Sequence, residues 1–134
     1  MMEIKKEMVK LNSYVLSKQK SSFSDVLFSF LKNKKLSLNN VLKQSDLDRR
    51  YVSKFKSKTY RPSKNTVKAL SIGLKLNKEE ALSFLKTAGY YLSDSLTEDL
   101  IFMFCLENDI YNISDVNQLL YDFGLGILGT IPRE

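Results

Sequence analysis

The chain has no histidine and no tryptophan, one cysteine, two prolines and five glycines in 134 residues. Without imidazole no Ser-His or Cys-His nucleophile pair can be assembled, and a zinc site of the Cys/His kind has no ligands. A single cysteine excludes a disulfide framework. Cys105 lies in the apolar run LIFMFCL with no basic residue near it in sequence, which reads as a small buried hydrophobe rather than a thiolate. None of Gly73, Gly89, Gly124, Gly126 and Gly129 is followed by lysine, so a P-loop is missing too. No apolar run approaches the ~18 residues of a membrane span, and MMEIKKEMVK lacks the apolar stretch of a secretory signal. These absences lead to the expectation of a cytoplasmic protein with no metal, no cofactor and no membrane contact. Carboxylate pairs do occur, at Glu79-Glu80 and Glu98-Asp99, but both fall in first turns of predicted helices, where acidic residues have a structural reason to be. The chain is therefore read as no enzyme.

What is present is a composition of 43% hydrophobic and 27% charged residues, which supports a packed core and fits one domain. The charge is unevenly placed. Residues 1 to 78 carry 19 Lys+Arg and 5 Asp+Glu, or +14, whereas residues 79 to 134 carry 2 and 10, or −8. Nine of the cations cluster between Lys43 and Lys68. A basic segment of this kind suits a polyanion, most plausibly nucleic acid, with the acidic part facing away or meeting another partner. The plainer reading is a solvated Lys-rich surface.

Apolar spacing predicts an all-α chain, a compact domain of about seven helices. Ile4, Met8, Leu11 and Val15 step by four, three and four, the stripe of an amphipathic helix over residues 3 to 16. Ser22 with Asp25 is a capping pattern for a helix to about Asn33, with Val26, Leu27, Phe30 and Leu31 on one face. Ser37 caps a helix carrying Leu38, Val41 and Leu42. At Ser45-Asp46-Leu47 a tight turn is expected, with Asp46 left-handed and Leu47 as an apolar plug. Asp48 then caps a helix that turns Val52 and Phe55 inward, with Tyr51 at the edge and Arg49, Arg50, Ser53 and Lys54 outward. Ser63 caps a buried helix through Val67, Leu70, Ile72 and Leu74, and Asn77 with Glu80 forms a capping box for the next, ending at Gly89. Ser95 with Glu98 is read as another capping box before LIFMFCLEN. Ser114 is read as the cap of a last helix with Val116, Leu119, Leu120 and Phe123 inward. The domain divides into an N-terminal helix or arm over 1–21, a five-helix core over 22–89 and a helical extension over 90–134.

Two short helices joined by a few residues, the second opening with basic side chains, is the pattern of a helix-turn-helix. From Phe23 to Ala88 the chain resembles the lambda-repressor-like (XRE) family. Leu47-Asp48, Val52-Ser53-Lys54-Phe55, Arg61-Pro62-Ser63, Val67-Lys68-Ala69-Leu70 and Gly73-Leu74 fall at that family's spacings. More narrowly, Ser22 to Gly129, with AGYYLSDS and NISDVNQLLYDFGLGILG, is similar to a domain found at the C-terminus of some bacterial macrodomain proteins; no macrodomain is attached here. The XRE resemblance implies binding of double-stranded DNA, with Arg49, Arg50, Tyr51 and Lys54 at base edges. It implies phosphate contacts from Ser37, Asn39, Ser53, Lys56, Lys58, Tyr60, Arg61 and Lys64. Repressor-family proteins commonly bind two half-sites as symmetric dimers, so a homodimer is expected, with the C-terminal helices and the apolar tail GLGILGTIPRE as one candidate surface. The alternative is that these helices close the core.

Departures from the family pattern motivate a second reading. Leu42 stands where the family usually has a small alanine, Ser45 where it has an apolar residue, and Asp46 where it has glycine. A helix-turn-helix scaffold can be reused to bind protein, as in a phage or mobile-element adaptor or inhibitor directed at a nucleic-acid-handling complex.

Overall fold

The computed structural model describes residues 2–129, and among them every regular element is a helix: α1 (Met2–Lys18), α2 (Phe23–Lys34), α3 (Leu38–Gln44), α4 (Tyr51–Lys56), α5 (Lys64–Gly73), α6 (Lys78–Thr87), α7 (Thr97–Glu107) and α8 (Ile113–Asp122). None of these helices is long and apolar enough to cross a membrane.

Most helix starts follow from local chemistry. The first amides of a helix have no partner four residues back, and a side-chain oxygen just before the helix supplies one. Ser22 accepts from the Asp25 amide at 3.1 Å while the Asp25 carboxylate accepts from the Ser22 amide. Asn77 and Glu80 close the same reciprocal box. Ser37 and Ser63 accept from the Asn40 and Thr66 amides, both at 3.2 Å. Three expected caps are different in the structure. Asp48 does not cap α4: Arg50 holds that position with no side-chain bond, and Asp48 accepts from the Arg50 amide in the turn before the helix. Asn112 rather than Ser114 caps α8, its carboxamide oxygen accepting from the amides of both Ser114 and Asp115. Leu96 occupies the cap of α7 with no side-chain bond, and Ser95 plays no such part. There the carboxylate that reaches back is Asp99, which accepts from the Ser93 amide at 2.9 Å.

The core is built around α5, which contacts α3, α6 and α8. Thr66 through Gly73 are buried without a break. A helix buried on every side needs close neighbours, and Gly73 provides one: a Cβ there would lie 2.8 Å from the Val41 carbonyl oxygen, and nearer still to Ser45 Oγ. Ser45 is buried, and its hydroxyl is satisfied by donating to Val41 O at 2.7 Å. An aromatic group, Phe23 stacked on Phe84 at 5.0 Å with Phe55 edge-on to Phe23 at 5.6 Å, joins α2, α4 and α6.

α7 packs on α6 and α8, and Phe102, Cys105, Val116 and Leu120 belong to the same apolar cluster as Phe55 and Leu70. Burial pushes the Cys105 thiol above its ordinary pKa, as suits a core cysteine. The tail folds back. Asn117 holds the backbone of Leu128 at both ends, donating to its carbonyl at 3.0 Å and accepting from its amide at 2.8 Å. Leu128 is buried, and Gly129, at φ +76°, passes so close to the backbone carbonyls of Ser45 and Asp46 that a side chain would collide. The apolar tail up to Gly129 is thus partly core; the remainder, Thr130 to Glu134, lies outside the described residues. Phe123, expected on the inner side of the last helix, is 64% exposed, because it follows the end of α8, where the chain turns into the tail.

α1 is the exception to all of this. Every side chain from Ile4 to Lys18 is exposed, its apolar stripe included. It is an arm beside the core.

Candidate nucleic-acid interface

Between α3 and α4 the chain turns over Ser45 to Arg50. Asp46 sits at φ +56°, in the left-handed region that a short aspartate side chain tolerates better than most, and Leu47 is buried beneath the turn. Asp48 accepts from the Arg50 amide at 2.7 Å and from Arg50 Nε at 3.0 Å. Those bonds hold its carboxyl below the ordinary aspartate pKa. Regular helix begins only at Tyr51, so Arg49 and Arg50 lie in the turn that leads into α4 rather than within it.

The four residues read as base contacts differ in freedom. Arg49 is exposed and makes no ion pair among the described residues. Arg50 is also exposed but shares its guanidinium with Asp48. Tyr51 is half-buried, its ring stacked on Phe55 at 5.2 Å, and Lys54 Nζ lies over the same ring at 5.2 Å. Tyr51 is therefore a shelf that orients Lys54, an attraction between a cation and the negative face of the ring. The outward set is Arg49, Arg50, Ser53 and Lys54, all exposed.

The residues read as phosphate contacts separate into two groups. Ser37, Asn39, Lys56 and Lys58 are exposed; Lys58 has a loose pair with Asp25 at 3.6 Å, and the Ser37 hydroxyl is occupied as a cap. Tyr60 is half-buried, and that burial raises its phenol above the ordinary pKa. Lys64 is turned to the protein itself, and Arg61, although exposed, is anchored to it. Arg61 donates Nε to the Ala88 carbonyl at 2.7 Å and lies over the Tyr90 ring at 4.8 Å, while the Tyr90 hydroxyl donates to Pro62 O. The loop before α5 is thereby stitched to the end of α6.

Lys64 binds Asp99 at 2.7 Å, and Lys68, one turn on, binds the other oxygen of that carboxylate at 2.5 Å. Lys68 and Asp99 are buried, and the Lys68 ammonium also faces the Phe102 ring at 5.5 Å. Burial pushes the Lys68 ammonium below the usual lysine range. At Asp99 burial acts upward, but the bonds from Lys64, Lys68 and the Ser93 amide outweigh it and hold the carboxyl low. Two cations of the cluster between Lys43 and Lys68 are thus internal counter-ions. For Lys64 this means that a phosphate contact would compete with Asp99.

Sequence spacing did not reveal a second basic feature. An open cleft of about 720 Å³ runs between the α1–α2 connection, the α4–α5 loop and the end of α6, and Lys20, Lys58, Arg61 and Lys86 line it. It extends the positive loop away from α4. The one signal was Lys86 itself, one of two cations beyond residue 78. Among the described residues no group of three or more acidic or cysteine side chains could hold a metal ion.

No known protein family, curated protein or solved structure matches this chain.

Proposed function

We propose that this is a non-enzymatic double-stranded DNA-binding protein, a small regulator of the helix-turn-helix kind, which meets the major groove through the turn before α4 and the outward face of that helix. The observation that carries this reading is the free, exposed Arg49 at the entrance of α4, with Lys54 held on the Tyr51 ring one turn on. An arginine so presented can donate two parallel bonds to guanine O6 and N7. The exposed Lys56 and Lys58, and the cleft that Lys58 lines together with Lys20 and Lys86, supply phosphate neutralisation.

The test is fluorescence anisotropy with duplex DNA, random in sequence and from around the protein's own gene, at two salt concentrations. The expected result is binding that is tighter on the second DNA and falls steeply with salt. Arg49→Ala weakens it by about 1–3 kcal/mol and relaxes sequence preference, more than Arg50→Ala does because Arg50 is shared with Asp48. Equal affinity of the wild type and an Arg49→Glu/Arg50→Glu chain would sink the assignment.

A second reading, a protein-binding adaptor on the same scaffold, draws support from the shortness of α4, six residues, and from the exposed apolar side chains Leu100 and Phe104 on α7. Absence of any DNA binding at low salt would make it the leading one.

A further inference from the structure

The cleft beside the α4–α5 loop carries charge of one sign. Lys20, Lys58, Arg61 and Lys86 line it, and among the described residues no carboxylate does. Lys20 and Lys86 are exposed and make no ion pair among the described residues, and Lys58 has only its loose pair with Asp25. The carbonyls at the end of α6, which would repel an anion, are taken. The Thr87 hydroxyl donates to Phe84 O at 2.6 Å, and Arg61 Nε donates to Ala88 O.

The cleft does not stop at Lys86. That lysine also lines an adjoining open hollow of about 430 Å³, together with Leu82, Gly89, Tyr90 and Tyr91. Arg61 reaches from the cleft toward the hollow: its guanidinium lies over the Tyr90 ring and so close to Gly89 that a Cβ there would stand 3.1 Å from it. Tyr91 is 75% exposed and stacks on no other ring among the described residues. The Lys64 ammonium lies 5.9 Å from the centre of that ring.

Cations along an open groove, with an aromatic ring offered beside them, suit a polyanion whose bases are unpaired: the cations neutralise phosphates and the ring stacks a base. A duplex does not use this arrangement, because its bases are already stacked on one another and leave nothing for Tyr91 to cover. A small ligand does not use it well either, since such sites enclose most of the molecule, whereas the cleft and the hollow are both open.

We propose that the groove from the α1–α2 connection past Lys86 to Tyr91 binds a single strand of nucleic acid, with Lys20, Lys58 and Lys86 on phosphates and an unpaired base on the Tyr91 ring. This goes beyond the duplex reading and stands even if Arg49 meets no duplex. Single-stranded DNA and RNA offer the same phosphates and ring faces, and the test separates them.

That test is fluorescence anisotropy of the full chain with labelled oligothymidylate and oligouridylate of about ten nucleotides, each at two salt concentrations. Both Tyr91 and Lys86 are exposed, so Tyr91→Ala and Lys86→Ala are expected to leave the far-UV circular dichroism unchanged. Tyr91→Ala is expected to weaken strand binding by roughly five- to a hundredfold, and Tyr91→Phe, which keeps the ring face, by no more than about twofold. Lys86→Ala is expected to reduce the salt slope by about 0.7, the share of one phosphate contact on a single strand. The tighter of the two oligomers names the strand; equal affinity means that the groove takes either. Arg49→Ala leaves strand binding unchanged, and Tyr91→Ala leaves duplex binding unchanged, so failure of one proposal is told apart from failure of the other. Absence of binding to both oligomers at low salt with about 100 μM protein would overturn the inference. So would a Tyr91→Ala chain that binds as the wild type does, a loss in Tyr91→Phe as large as in Tyr91→Ala, or an Arg49→Ala chain as weakened as Tyr91→Ala, which would place the strand on α4.

Discussion

α4 and α5 belong to one basic stretch of sequence, yet they use their lysines in opposite ways. On α4, Lys54 and Lys56 point to solvent, and only Phe55 of the helix is fully buried. On α5, Lys68 is buried and Lys64 half-buried, both closed on Asp99, which lies more than thirty residues further along the chain. The difference teaches that a cluster of charge in sequence is not a cluster on the surface. What separates the two helices is whether a carboxylate returns to meet them. The acidic C-terminal part is thus more than a counterweight: through Asp99 it is stitched to the basic part and takes two cations out of any footprint on a polyanion.

The largest effect should come from breaking that stitch. Asp99→Asn leaves Lys68 buried without its counter-charge and is expected to cost about 3–5 kcal/mol in urea or thermal unfolding. The same carboxylate makes stability depend on acid. Because its folded pKa lies below the unfolded value near 3.8, its contribution is present above about pH 4 and is lost as pH falls through the folded pKa. Acid unfolding should therefore be less steep in Asp99→Asn than in the wild type. An unchanged acid transition would mean that the buried pair does not govern it.

Next in size is the packing of α5. Gly73→Ala should destabilise by about 1–3 kcal/mol, because the new methyl meets the Val41 carbonyl and the Ser45 hydroxyl, neither of which is a loose end. This loss is expected although alanine is the better helix former by about 1 kcal/mol. A stabilised variant would show that α3 and α5 can separate without cost.

The smallest effect on stability is expected at α4. Lys54→Ala should change it by no more than about 0.5 kcal/mol, as exposed substitutions do. In the DNA titration the same change should still weaken binding and reduce the salt slope. Identical binding curves would remove Lys54 from the interface and sharpen the contrast to Arg49 alone.

Much of the fold was legible because its signals are local. Ser22-Asp25, Ser37, Ser63 and Asn77-Glu80 cap within three residues, and Asp46 turns left-handed where a tight turn was needed. The misread caps are instructive. Ser95 and Ser114 have the right residue type, but Asp99 turns back to Ser93 because two lysines hold it there, and Asn112 reaches both free amides of α8 first. Of the candidate site, the outward face of α4 followed from helical spacing. The anchoring of Arg61 and the inward turn of Lys64 did not, since their partners Ala88 and Asp99 are 27 and 35 residues away.

Sequence alone determined that the chain is helical, where most helices begin, and that its first 78 residues are strongly basic, because capping, periodicity and net charge are properties of near neighbours or of simple sums. The tertiary structure decided which cations remain available, why a glycine stands at position 73, and that α1 keeps its apolar stripe in the open. Those outcomes depend on contacts between distant segments, and no short-range pattern in a chain states which of its charges will find one another.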